Sequence, residues 1–334
     1  MFRVFRYDDA ILPDLIAVGY AVGGYLIGIS ILLNPYPWSY LPGVFLLAHS
    51  MVIAAYLVHE CAHNSLFAKN RYHRPLAELL LWICGASYSH YDDIRHKHVR
   101  HHTDRADIVS FNYREILKRH PRVLKIIQAL EWCYVPALEI LMHALVLVLP
   151  FVKANRRHRR GRVVLMLLLR GLFFAWLASM SLNILWFYPL AYMLFHTVMR
   201  FMDVHQHTFA LHETLDRKRG EEVKPYDRDF ERRHTYSNLL SQQHPWLNLL
   251  VLNFPYHNAH HEQPGIPWYR LPGLHKKLYG VAPVQVLTFR NLLKAYHRYR
   301  VQRVLNEDSI DLDVKRNDST NFIGVDGVSF LTAH

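Results

Sequence analysis

Long apolar runs alternate with short polar blocks along the chain. Residues 11–33 form the first run, with Asp14 its only charge and glycines at 19, 23, 24 and 28. A bilayer core of ~30 Å takes ~20 helical residues, so this run predicts a membrane span. Its length and the lack of a clean cleavage site argue against a cleaved signal peptide. Asn34-Pro35-Tyr36-Pro37 predicts a turn, after which residues 41–58 return as a second span. Residues 163–178 and 182–198 predict a second hairpin with a very short turn.

Other apolar runs do not cross. Residues 76–87 are too short and predict a re-entrant or interfacial piece, and residues 241–256 an interfacial or buried helix. Residues 124–152 are long but contain Glu131, Glu139 and His143, so they are expected to lie along the membrane or to enter and leave the same face. Residues 287–305 read as an amphipathic helix, and the polar stretch 308–334 as a peripheral tail. The fold class expected is an all-α integral membrane protein. Residues 1–334 would form one domain, with four transmembrane helices in two hairpins and a cytoplasmic helical cap.

Charge sets the direction. Thirty-nine Lys and Arg against 27 Asp and Glu give a net charge of +12. Basic blocks flank the apolar runs, at Arg3 and Arg6, across 153–162, and from Arg200 to Arg219. No nucleic-acid motif accompanies them, so a membrane surface is the expected partner and nucleic acid is not. Keeping every block on the positive side places both termini in the cytoplasm. The three cysteines, Cys61, Cys84 and Cys133, include no close pair. This argues against a disulfide scaffold or a self-contained four-cysteine cluster and leaves them as small buried apolar residues.

Three histidine sets lie just beyond apolar runs: His59 and His63; His98, His101 and His102; His257, His260 and His261. Offsets of three and four put side chains on one side of a helix. Neutral imidazoles are costly to bury without a shared partner, and a metal supplies one; imidazole suits iron and zinc among others. A membrane metal carrier or sensor is the non-enzyme alternative, but its ligands would line a path within the spans. A zinc hydrolase needs far fewer histidines.

The sets His59-Glu60-Cys61-Ala62-His63, His98-Val99-Arg100-His101-His102 and His257-Asn258-Ala259-His260-His261 resemble the three boxes of the integral-membrane fatty acid desaturase and hydroxylase superfamily. The resemblance runs from the first hairpin to about Leu274. It implies two non-haem irons held by the boxes and one further histidine near the last span. His207 matches best, ahead of His205, with His96 and His234 as lesser candidates. Glu60, Asp92 and Asp203 are candidates to orient ligand imidazoles. The resemblance further implies dioxygen as co-substrate and a fatty acid or fatty acyl lipid as substrate. Desaturation is the expected reaction, with decarboxylation of a free fatty acid to a terminal alkene, or hydroxylation, as alternatives.

The chain has no G-x-G-x-x-G fingerprint, so electrons are expected from an external ferredoxin, rubredoxin or cytochrome. Phe45, Trp82, Trp132 and Trp186 are expected to wall an acyl slot. Arg95, Lys97 and Arg100 are expected either to hold its headgroup or to form a positive surface. The expected location is a bacterial inner membrane.

Overall fold

A computed structural model of the chain describes residues 3–209, 212–216, 227–280, 285–305, 322–325 and 329–333. In order, the helices are α1 (Ile11–Leu32), α2 (Tyr40–Ala62), α3 (His73–Ile83) and α4 (Tyr91–Asp104). Strand β1 (Asp107–Val109) precedes α5 (Tyr113–Arg119), α6 (Pro121–Trp132), α7 (Ala137–Val152), α8 (Arg160–Met180) and α9 (Ile184–Asp203). Strand β2 (His212–Thr214) precedes α10 (Arg228–His234), α11 (His257–Glu262), α12 (Leu271–Tyr279) and α13 (Phe289–Tyr299). The protein is thus mostly helical. Among the described residues β1 pairs in parallel with β2, Asp107 opposite His212 and Val109 opposite Thr214, and isolated bridges join Phe5 to Phe67, His207 to Thr235 and Ser237 to Val286, none of which the all-α expectation contained.

The chain divides into two compact units, with the divisions falling inside α4, α7 and α9. Unit 1 holds residues 1–94, 143–198 and 333–334, and unit 2 holds 95–142 and 199–332.

In unit 1, α1 and α2 form a close hairpin. At Gly28 an added Cβ would lie 3.1 Å from the Leu47 Cα, tighter than an ordinary contact, so glycine eases this close approach of the two backbones. Every residue of α2 from Ser50 to Ala62 is buried. The chain reverses again between α8 and α9, where Phe174 meets Tyr188 edge-on at 4.8 Å. Leu168, Leu172 and Trp176 on α8 are more than half exposed, an apolar band of the kind lipid covers. Much of the basic cluster is knitted into the unit: Arg159 pairs with Asp93, and Arg162 with Glu78.

Among the described residues three helical stretches are long and apolar enough to cross a bilayer: Asp8–Leu32, Pro37–Ala62 and Ala154–Met180. The expected fourth span lies in α9, which is not one of them. The expected continuous segment 124–152 is instead two helices. Pro136 lacks an N–H and disfavours helical geometry at Val135, and Tyr134 turns the chain with φ of 64°.

In unit 2, α13 buries Leu292, Ala295 and Tyr296, a helical stripe at offsets of three and four. Leu292 joins Tyr236, Leu287 and Phe322 in one apolar cluster. The expectation of a peripheral tail fails for the parts described. Phe322, Ile323, Val325, Ser329, Leu331 and Thr332 are buried, because apolar side chains punctuate the polar stretch. The rest of that tail lies outside the described residues.

Candidate metal centre

Seven of the nine histidines singled out in the sequence lie in unit 2, and its fold gathers them into two clusters. Helix α4 carries His98, His101 and His102. His102 Nε2 lies 3.1 Å from His98 Nε2 and 3.2 Å from His260 Nε2. His101 Nε2 instead faces His207 Nε2 at 3.1 Å, and His207 Nε2 lies 2.7 Å from His257 Nε2. His261 completes this second cluster, whose ligand atoms all lie within 4.8 Å of one another.

The second and third boxes therefore divide. The first and last histidines of a box, four apart, share a cluster, and the middle one, at offset three, goes to the other. His98 and His102 take His260 from the third box, while His257 and His261 take His101 from the second. The clusters adjoin, with the His102 and His261 rings 4.2 Å apart.

Local structure aims these rings. Before α11 a 3-10 turn over Pro245–Val251 runs into Leu252 and Asn253, both left-handed at φ of 51° and 55°. The buried Asn248 side chain holds this bend, accepting from Leu240 N at 2.8 Å and donating to Ser241 O at 2.9 Å and Pro245 O at 3.1 Å. His207 is fixed by its bridge to Thr235.

The donor chemistry fits a cation. His101 Nδ1 donates to Ala106 O at 2.9 Å, so its Nε2 must be a lone pair. His261 Nδ1 donates to Glu231 Oε1 at 2.8 Å, which leaves Nε2 a lone pair, and that buried atom has no hydrogen-bond partner among the described residues. Two fixed lone pairs in one buried cluster leave an excess of acceptors that hydrogen bonding among the four rings does not relieve. Burial, reinforced by neighbouring imidazoles, lowers His207, His257 and His261 well below the ordinary histidine range; burial also lowers His101. All four are held neutral, the form that ligates metal.

A cavity of about 70 Å³ borders His98, His101, His207 and His257. A water needs ~10–15 Å³ of such volume, so the space has room for more than a single water. Ile108, Phe209, Phe254, Val325 and Phe330 give it an apolar side. Lys97, Asp107, Asp203 and Gln206 give it a polar one.

In unit 1, His59 is buried at the end of α2, its ring centroid 4.7 Å from that of His63. Glu60 Oε1 lies 3.5 Å from His59 Nδ1.

Other expected residues are placed elsewhere. His205 bonds Phe201 O at 2.7 Å and Arg303 at 3.1 Å. His234 stacks on Phe230 at 4.0 Å, and His96 is exposed. Asp92 pairs with Arg74 at 3.2 Å. Lys97 and Arg100 bind within the protein, Lys97 to Ser329 and Thr332 and Arg100 to Asp104, so neither presents a free headgroup site. Phe45, Trp132 and Trp186 are 55%, 63% and 78% exposed, and Trp82 packs beneath Arg170 at 4.0 Å, so none lines the cavity. Their bulk and apolarity suit lipid-facing surface equally well. Glu231 carried no sequence signal, because the histidine it holds, His261, lies 30 residues further along the chain.

The sequence profile described as fatty acid desaturase matches residues 35–292. No curated protein matches the chain. The profile covers well over half the sequence and includes all three boxes. The apolar helices mark it as membrane-associated, and family membership implies a lipid substrate and an external electron donor. The chain belongs to the fatty acid desaturase family, and its activity is oxygen-dependent, diiron-type modification of fatty acids.

Proposed function

We propose that the enzyme desaturates a fatty acyl chain, and that its iron ligands are His59, His63, His98, His101, His102, His207, His257, His260 and His261. The carrying observation is the pair of adjoining imidazole clusters beside a partly apolar cavity, one of them with two fixed lone pairs. His98, His102 and His260 would hold one iron and His101, His207, His257 and His261 the other. His59 and His63 are assigned by their spacing and by the Glu60 carboxylate beside His59.

Iron bound there supplies the one-electron chemistry that lets dioxygen attack an unactivated C–H bond. Overall, two adjacent C–H bonds break and one C=C bond forms. Dioxygen takes the two hydrogens, with two electrons and two protons from outside, and leaves as two waters. The protein's part is positioning. Phe209 and Phe254 bound the space where methylenes meet the clusters, and Glu231 and Ala106 O fix two rings in the tautomer that faces inward.

We further propose four spans in two hairpins, with both termini and all three boxes on the cytoplasmic side of a bacterial inner membrane. The exposed Arg157 before α8 supports this orientation. The electron donor is a ferredoxin, rubredoxin or cytochrome, and the net charge of +12 favours an acidic one.

Expression in a heterologous host, with mass spectrometry of lipids and headspace gas, tests the reaction. The expected products are acids of unchanged carbon number with two hydrogens fewer. Terminal alkenes one carbon shorter as the main product would replace this reading with decarboxylation, and a gain of one oxygen with hydroxylation.

A further inference from the structure

Two buried cations pin the C-terminal part of unit 2. Arg303 donates to Ile323 O at 2.6 Å and to Phe322 O at 3.1 Å. Lys97 donates to Ser329 O at 2.8 Å, Thr332 O at 3.0 Å and Thr332 Oγ1 at 3.1 Å. Ser110 donates to Thr332 O at 2.8 Å, and the Ser329 N–H donates to a Glu139 carboxylate oxygen at 3.1 Å. At Gly324, with φ of +73°, an added Cβ would lie 1.7 Å from Val204 O, so this stretch sits backbone against backbone.

Burying an ammonium and a guanidinium is costly, and most of the hydrogen bonds the two donate go to carbonyls of residues 322–323 and 329–332. Anchoring of that kind exceeds what a surface tail needs. Its result is that Val325 and Phe330 reach the cavity beside the histidines. The Phe330 ring lies 5.7 Å from that of His98. Its neighbours Ser329, Leu331 and Thr332 are buried, whereas Phe330 itself is only partly so.

We propose that Phe330 is a specificity-determining residue, the wall against which the acyl chain stops or bends beside His98, and so selects which methylenes face the clusters. The inference rests on the acyl-chain reading above. Aromatic bulk suits such a wall, because a ring has few rotamers and its removal opens room for further methylenes. Lys97 and Arg303 act as positioning residues, because they hold the segment and not the chain.

The test combines product analysis with a binding readout in the full-length, iron-loaded protein. Phe330→Ala and Phe330→Leu should move the preferred chain length or double-bond position toward the longer side, and Phe330→Trp toward the shorter. Relative turnover of adjacent chain lengths should change about tenfold, the usual effect of one methylene in an apolar pocket. A fatty acid bearing a diazirine on its chain should label Phe330 in the parent, read by peptide mass spectrometry. Unchanged product positions and chain-length preference in all three variants would overturn the proposal. So would labelling of Phe209 or Phe254 without Phe330. A probe that labels no cavity residue overturns both this wall and the acyl-chain reading. Labelling at Phe330 in a parent that alters no acyl chain supports the wall and overturns the proposed reaction alone.

Discussion

His101 Nε2 and His207 Nε2 meet at 3.1 Å, whereas His205, two residues earlier in the chain than His207, turns away to Arg303. The two neighbours therefore have separable roles. His207→Ala should lose iron and nearly all turnover. His205→Ala should keep its iron but unfold at lower temperature, because Arg303 loses a buried partner. Iron content and detergent melting curves check both, and the reverse pattern would exchange the assignments.

Glu231 makes a second separable contribution. It accepts from His261 at 2.8 Å and pairs with Arg105 at 2.9 Å. Glu231→Ala should weaken iron retention or activity by roughly 10–100-fold, the usual effect of removing an orienting carboxylate. Competition against a chelator measures it. Retention equal to the parent's would mean that His261 keeps its orientation unaided.

Much of this was legible in the sequence, for reasons visible at particular residues. The boxes were readable because offsets of three and four survive in any helix, and the first hairpin because Ile11–Leu32 is long and nearly uncharged. The division of the second and third boxes was not. Whether His101 joins His98 depends on where His207 and His260 arrive, and that is set by distant loops such as the Asn248 bend. The acyl wall was misassigned to Phe45, Trp132 and Trp186 because apolarity alone does not distinguish a lipid-facing ring from a cavity ring. The tail was misread because average polarity hid Phe322 and Phe330.

Metal removal should be reversible and selective. Chelation should abolish turnover and lower the melting temperature, since ligand binding to the folded state stabilises it. Ferrous iron should restore both. His158→Ala, at an exposed site, should match the parent throughout. Restoration of turnover by zinc would contradict the redox reading.

Stability should depend strongly on one ion pair outside the histidine clusters. Arg200 Nε lies 3.4 Å from Glu131 Oε2, both almost wholly buried. Removing one partner of such a pair costs about 3–5 kcal/mol, because the other charge remains buried. Glu131→Ala should therefore lower the melting temperature sharply. A Glu131→Ala, Arg200→Met double variant should recover part of the loss. Equal melting of the single variant and the parent would show that water or another group compensates Arg200.

The division of the second and third boxes between two clusters makes helix length a chemical parameter. On α4, His98 and His102 serve one cluster while His101, between them, serves the other. A residue inserted between His98 and His101 would turn everything downstream by about 100° and advance it about 1.5 Å. No side-chain torsion repairs that for both clusters at once. Val99 can change in kind, but the register of this turn cannot shift, so the segment is free to drift by replacement and closed to change by insertion or deletion.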